Sequence, residues 1–304
     1  MRPRTTLPIA LVAVCAAVLA LGIVTGVKKG NDRTGETASS RAGDQVGGPA
    51  ATDPIRINYG SAPSQFGDLW LPPAGGPVHP IVVLIHGGYW RVAYGLDLMD
   101  ALATDLTTRG YAVWNIEYRR VGEVGGGYPG TFDDVASAID KLATLATTHG
   151  LDLDSVTVVG HSAGGHLALW AAGRSRLAPD DPGAAPIVPI QTAIGLGPVV
   201  GLTMADAPSL SNGAVLELIG GTVSQFPDRY RIATPVAQPG VSMWSVRGVD
   251  DTIVPERFTV PSGLSADRLV DVPGDHFALI DPSSQAWKKT VELIARDSPP
   301  QEGR

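Results

Sequence analysis

The sequence predicts an α/β fold in which helices cover both faces of a mostly parallel β-sheet. Two observations support this prediction. Short apolar, β-branched runs alternate along the chain with longer amphipathic segments, a pattern typical of repeated β–α–β units. The clearest run, residues 81–85, is apolar at every position, which is expected of a strand buried on both faces.

Six strands and four helices are predicted in order along the chain. The strands are residues 81–85, 111–118, 156–159, 190–196, 243–246 and 269–272. The helices are residues 97–109, a segment from Thr131 to about Gly150, a segment that begins after Ser162, and residues 284–295. Gly110 stands where a glycine commonly ends a helix. The Thr-Phe-Asp-Asp stretch at 131–134 is typical of a capping box that starts one.

The composition allows a sizeable core and excludes several classes of function. Of the 304 residues, 44% are hydrophobic, so wholesale disorder is excluded. The net charge of −7 argues against a nucleic-acid partner, which would need a basic surface. A single cysteine excludes an intramolecular disulfide and a cysteine-based metal site. No phosphate loop, zinc helix or dinucleotide glycine pattern is present, so we expect no cofactor and no metal.

The chain divides into four parts by composition. Residues 1–27 are predicted to be a membrane anchor or signal segment, and residues 28–54 a flexible linker without apolar periodicity. Residues 55–296 form the predicted folded domain, and residues 297–304 a C-terminal tail.

The apolar run at 7–27 is long enough to cross a bilayer of ~30 Å. Its length favours an uncleaved anchor over a cleaved signal peptide. Arg2 and Arg4 favour export of everything after the run, whereas Lys28 and Lys29 weaken that orientation. We expect a membrane-anchored or secreted protein with an extracytoplasmic folded domain.

A Gly-His-Ser-Ala-Gly motif at 160–164 lies between a predicted strand and a predicted helix. In this context the motif is typical of a nucleophile elbow, a sharp turn that exposes the serine hydroxyl. Glycines are required at 160 and 164 because larger side chains would crowd the neighbouring backbone. Ser162 is therefore the predicted nucleophile.

A second motif, His-Gly-Gly-Tyr-Trp at 86–90, directly follows the predicted strand at 81–85. Consecutive glycines let backbone amides approach the site of a developing negative charge. We predict an oxyanion hole formed by the amides of Gly88, Tyr89 and Ala163, with Gly87 in reserve. His86 is expected to brace this loop rather than to transfer protons. Trp90 either lines the acyl pocket or packs in the core.

A serine nucleophile needs a histidine base and an acid that orients it, and in this arrangement the acid and histidine follow the serine along the chain. His276 follows the last predicted strand and is the predicted base. The acid is expected after the strand at 243–246, where Asp250 and Asp251 compete. The spacing to Gly248 and Pro255 favours Asp251. His161 and His166, beside the nucleophile, are predicted to be structural.

Together these motifs resemble the α/β-hydrolase superfamily, over roughly residues 55–295. The chain is similar to hormone-sensitive-lipase-like esterases and more so to the kynurenine formamidase (arylformamidase)-like branch, since a tyrosine follows the first two glycines of the loop. The residues that carry the resemblance are 86–90, 115–119, 160–166, 218–221, 233–235 and 275–277. The resemblance implies the α/β-hydrolase fold and hydrolysis by a serine nucleophile.

The leading hypothesis is a serine hydrolase that cleaves a small-molecule carboxylic ester through an acyl-enzyme intermediate. An arylformamidase-like amide hydrolase, acting on a substrate of the N-formylkynurenine type, would use the same residues. A non-catalytic binding protein on the same fold is the third alternative. Residues 198–230 lie where this fold commonly inserts a cap, and they either line the substrate pocket or form a surface excursion.

Overall fold

The structure is a computed structural model, and it describes residues 53–72, 79–204 and 207–299. The predicted anchor or signal segment, nearly all of the predicted linker and most of the predicted tail lie outside these residues. Within the described ranges, every helix is too short or too polar to cross a bilayer.

Eight strands form one sheet in the described part of the chain. In chain order they are β1 (Ile55–Asn58), β2 (Phe66–Trp70), β3 (His79–Ile85), β4 (Ala112–Ile116), β5 (Leu151–His161), β6 (Thr192–Leu196), β7 (Ser242–Gly248) and β8 (Leu269–Val272). Their spatial order is β1-β2-β4-β3-β5-β6-β7-β8. Strand β2 is antiparallel to both of its neighbours, and all other neighbours are parallel. The predicted α/β class is confirmed, and the six predicted strands correspond to β3 to β8.

Seven α-helices accompany these strands in the described ranges. They are α1 (Asp100–Thr108), α2 (Gly130–Asp140), α3 (Leu142–His149), α4 (Ala163–Ala172), α5 (Ala214–Ile219), α6 (Pro227–Ala233) and α7 (Gln285–Asp297). The four predicted helices are present, although a 3₁₀ turn at Leu96–Met99 forms the start of the first. The second is divided at Lys141 into α2 and α3. The short helices α5 and α6 were not predicted.

The capping box predicted at residues 131–134 is wrong. Helix α2 begins at Gly130 without a side-chain cap. The Thr131 hydroxyl instead donates to the carbonyl of Arg119 and accepts from the amide of Gly127. The Asp134 carboxylate binds the Arg119 guanidinium. These side chains hold the loop after β4, and tertiary partners therefore outcompete the local cap.

The central strand β3 shows how the two layers of helices cover the sheet. Ile81 and Val83 pack into a core with residues of α2, α3 and α4. Val82 and Leu84 pack into a second core with residues of α1 and α7. All four side chains are fully buried, and each contributes about 1.5–3 kcal/mol of burial free energy. The two layers leave the carboxyl ends of the parallel strands free to carry loops.

Candidate active site

The serine elbow has the geometry that its sequence predicts. Ser162 lies between β5 and α4 with φ +55° and ψ −117°, a strained conformation for a residue with a side chain. A Cβ atom at Gly160 would lie 2.1 Å from the carbonyl oxygen of Gly164, and one at Gly164 would lie 2.1 Å from that of Ile85. Both glycines are therefore required by close backbone contacts.

The loop after β3 is also strained. Gly88, Tyr89 and Trp90 are consecutive residues with positive φ angles of 105°, 54° and 57°, and each non-glycine residue there costs about 1–2 kcal/mol. The fully buried Trp90 ring anchors the loop, since its Nε1–H donates to the carbonyl of Ala163 at 3.1 Å. Trp90 is thus a core residue that joins this loop to the elbow.

His86 fixes the direction of the next peptide groups. Its Nδ1 lies 2.7 Å from the carbonyl oxygen of Gly87, and its Nε2 lies 2.8 Å from a carboxylate oxygen of Glu117. The carbonyl and N–H of a trans peptide point in opposite directions. Because the Gly87 carbonyl faces His86, the Gly88 N–H points away from it. His86 braces the loop in the manner predicted for it.

Three amides near Ser162 are available as hydrogen-bond donors. The N–H groups of Gly88, Tyr89 and Ala163 have no acceptor within the described part of the chain. The Ala163 amide also opens helix α4, where the helix dipole favours negative charge. These are the amides predicted to form the oxyanion hole, and that role stays a prediction.

Asp251 and His276 are in direct contact. Oδ2 of Asp251 lies 2.6 Å from Nδ1 of His276, and both side chains are buried. A carboxylate only accepts, so Nδ1 carries the hydrogen and Nε2 is left to accept one. Burial acts to raise the pKa of Asp251, but hydrogen bonds from His276 and from the amides of Val254 and Ile253 outweigh it and lower that pKa below its ordinary value.

This pair lies beside the serine elbow. Three parallel strands, β5, β7 and β8, are followed at their carboxyl ends by Ser162, Asp251 and His276. The carbonyl of His276 accepts a hydrogen bond from Nε2 of His161, the residue before the serine, and the two imidazole rings lie 4.4 Å apart. The structure therefore places the three predicted residues together at the carboxyl ends of the parallel strands.

Gly197 is a site residue that the sequence prediction missed. It follows β6 with φ +53°, and a Cβ atom there would lie 3.1 Å from Nδ1 of His276 and 3.2 Å from Oδ2 of Asp251. A glycine directly after a predicted strand beside the nucleophile strand was the available signal. A larger residue at this position would displace the Asp251–His276 pair.

The remaining candidates take no part in the Asp251–His276 contact. Asp250 is exposed, and the carboxylate of Asp275 accepts from the amides of Phe277 and Ala278 within its own loop. His166 is fully buried, and its Nε2–H donates to the carbonyl of Ala233 at 2.8 Å. Burial lowers the pKa of His166 to about 4.

The described part of segment 198–230 adjoins the loop at residues 86–90, which we call the oxyanion loop because its amides are predicted to form the oxyanion hole. The Arg91 guanidinium binds the carboxylate of Glu217 at 2.7 Å and the carbonyl of Ser211 at 2.9 Å. These contacts bind the segment to the loop after β3, and the choice between a pocket lining and a surface excursion stays a prediction.

Comparisons with known proteins agree with this arrangement. The sequence model of the family described as BD-FAE matches residues 68–259. Kynurenine formamidase of Danio rerio is 29% identical over 112 residues, which cover 37% of this chain and 36% of that protein. Esterase LipC of Mycobacterium tuberculosis is 25% identical over 222 residues, which cover 66% of this chain and 51% of that protein. The chain thus spans about a third to a half of the length of these relatives.

Solved structures share the fold. Esterase B of Lactobacillus rhamnosis has a TM-score of 0.65 at 21% identity, with 83% of this chain and 87% of that chain covered. A carbohydrate esterase from gut microbiota, in truncated form, has a TM-score of 0.66 at 19% identity, with 82% of this chain and 96% of that chain covered. At these identities the likeness concerns the fold alone, and it confirms the predicted architecture.

Proposed function

Because the chain belongs to the BD-FAE family, of α/β-hydrolase type, we propose that it hydrolyses carboxylic esters with Ser162 as the nucleophile. The observation that carries this proposal is the buried 2.6 Å contact between Asp251 and His276 beside a strained serine elbow. Esterase LipC and isoprenylcysteine alpha-carbonyl methylesterase of Arabidopsis thaliana are among the relatives that support ester chemistry.

In the proposed mechanism, Nε2 of His276 takes the proton from the Ser162 hydroxyl as its oxygen attacks the ester carbonyl carbon. The Asp251 carboxylate holds the imidazole with its hydrogen on Nδ1 and stabilises the imidazolium that forms. His276 then gives the proton to the leaving alcohol, and an acyl-enzyme remains. Water activated by the same imidazole hydrolyses this intermediate and restores the serine.

The negative charge that develops on the carbonyl oxygen needs donors that are already in place. The free amides of Gly88, Tyr89 and Ala163 supply three such donors on segments held by His86 and Trp90. Donors fixed by the fold need no reorganisation during the reaction, and losing one such donor typically costs about 3 kcal/mol of transition-state stabilisation. The strained backbone of this loop thus lies where fixed hydrogen-bond donors would stabilise the proposed transition state.

The test compares hydrolysis of p-nitrophenyl butyrate and of N-formylkynurenine by the full-length chain, with Ser162→Ala as the control. We expect turnover of the ester and a loss of about 10³-fold or more in kcat for the variant. Faster turnover of N-formylkynurenine would favour the arylformamidase alternative, which the kynurenine formamidase relative supports. Absence of turnover on both substrates would favour the binding protein, and full activity of Ser162→Ala would refute the assignment of the nucleophile.

We also propose that residues 1–27 hold the protein at a membrane, with the folded domain on the extracytoplasmic side. The almost uninterrupted apolar run at residues 7–27, which Arg2 and Arg4 precede, supports this proposal. Alkaline carbonate washing of the membranes of expressing cells should leave an anchored chain in the membrane fraction. Recovery of a shortened chain in the medium would instead indicate a cleaved signal peptide.

A further inference from the structure

His161 lies between three segments of the proposed catalytic apparatus. It is the residue directly before Ser162, and its Nε2 lies 3.0 Å from the carbonyl oxygen of His276. Its Nδ1 lies 3.1 Å from the position that a Cβ atom would take at Gly87, in the oxyanion loop. The side chain is therefore enclosed by the nucleophile elbow, the loop of the base and the oxyanion loop.

The contacts determine the protonation of the His161 ring. A carbonyl oxygen can only accept, so Nε2 carries a hydrogen and donates it to His276. Nδ1 is buried and has no hydrogen-bond partner within the described part of the chain. Burial, with a further contribution from His276, lowers the pKa of His161 to about 3. The ring is therefore a neutral donor near neutral pH.

Packing alone does not explain an imidazole at this position. A leucine has a similar volume and would not leave a buried nitrogen without a partner, which is unfavourable. What the imidazole adds is one hydrogen bond, and that bond holds the main chain of His276. Its neutrality is also required, because the two rings lie 4.4 Å apart and a second positive charge would oppose the imidazolium formed on His276.

We propose that His161 is a positioning residue, which fixes the backbone of His276 so that its imidazole meets the Ser162 hydroxyl. This inference rests on the proposed function. Loss of the hydrogen bond should leave substrate binding intact and misplace the base, and small misplacements of a catalytic group reduce the rate strongly.

Three substitutions separate the hydrogen bond from the packing. In His161→Gln the amide nitrogen lies the same number of bonds from Cβ as Nε2 and can donate to the His276 carbonyl. In His161→Asn the amide nitrogen lies at the position of Nδ1 and is too short to reach that carbonyl. In His161→Leu the volume is kept and the donor is lost.

The measurements are kcat and KM for p-nitrophenyl butyrate and thermal unfolding, all on the full-length chain. We expect kcat to fall by about tenfold or more for the leucine and asparagine variants with KM within about twofold of wild type. The glutamine variant should recover most of kcat, and the leucine variant should unfold at no lower temperature than wild type. If the leucine variant does not fold, the asparagine and glutamine variants decide the question.

Equal kcat values for the glutamine, asparagine and leucine variants in an active protein would overturn the role of His161 and leave the proposed function intact. A loss of kcat that follows a loss of thermal stability in all three would also overturn it, because packing would then be sufficient. A wild-type chain whose ester turnover is absent, or is unaffected by Ser162→Ala, would refute the proposed function, and the positioning role with it.

Discussion

His166, a buried histidine on helix α4, makes the stability of this domain sensitive to acid. The substitution His166→Gln should reduce that sensitivity. His166 is fully buried, and its ring makes edge contacts with Trp90 and Phe132. Its Nε2–H donates to the carbonyl of Ala233. In His166→Gln the side-chain amide keeps a donor at this position but does not titrate. The variant therefore removes the proton-binding site and retains the hydrogen bond.

The magnitude follows from the difference between the folded and unfolded pKa values. Burial lowers the pKa of His166 from 6.5 to about 4, so below pH 6.5 the unfolded chain binds a proton that the folded chain does not. The stabilisation is fully present above the unfolded value and is lost as the pH falls towards the folded value. Between pH 7.5 and pH 5 the loss is about 2 kcal/mol.

The assay is urea unfolding of the wild type and of His166→Gln at pH 7.5 and pH 5, followed by tryptophan fluorescence. The decrease in the free energy of unfolding over this interval should be smaller by about 2 kcal/mol in the variant. Comparing decreases cancels the cost of the substitution itself and the contributions of the other titrating groups. Equal decreases in the two proteins would refute the reasoning, because His166 would then titrate alike in both states.

Three further predictions concern the site. Asp251→Asn should lower kcat by about 10³-fold, since the amide no longer selects the hydrogen on Nδ1 of His276. The matched control Asp250→Asn should change kcat less than about twofold. A larger loss in Asp250→Asn than in Asp251→Asn would mean that the wrong aspartate was chosen. Gly197→Ala should lower kcat by about tenfold and the free energy of unfolding by about 1 kcal/mol, because its Cβ would lie 3.1 Å from the imidazole of the base. Wild-type kinetics of this variant would show that the contact is unimportant. Gly164→Ala should lower the free energy of unfolding in urea by about 3 kcal/mol, because its Cβ would lie 2.1 Å from a carbonyl oxygen of β3. An unchanged free energy of unfolding would contradict the described elbow geometry.

The cap segment illustrates a contact that only the folded chain reveals. Arg91 lies two residues after Tyr89, whose amide is predicted to belong to the oxyanion hole. Its guanidinium binds the carboxylate of Glu217, 126 residues further along the chain. The same guanidinium donates to the backbone carbonyl of Ser211 at 2.9 Å. The segment is thus bound to the loop after β3. Changes in the cap are expected to affect the oxyanion loop directly.

Strand β2, the second strand from one edge of the sheet, shows where sequence prediction fails for physical reasons. Strand β2 contains Gly67 and Asp68, which are poor strand formers, and it was not predicted. It forms because Gly67 lets the strand lie against the Trp114 ring and because Asp68 pairs with Arg56 of β1. Helices α5 and α6, of six and seven residues, are too short for an apolar period to be visible.

The sequence by itself determined the fold class, the six parallel strands and the elbow at Ser162, because buried strands and tight glycine turns leave local patterns in the chain. It also singled out Asp251 and His276 by their order and spacing. Only the tertiary structure decided which strands are neighbours. It also places Gly197 against the Asp251–His276 pair and lets His161 bind the backbone of His276. These contacts join residues distant in the chain through distances of about 3 Å, and no local pattern of residue types encodes such a distance.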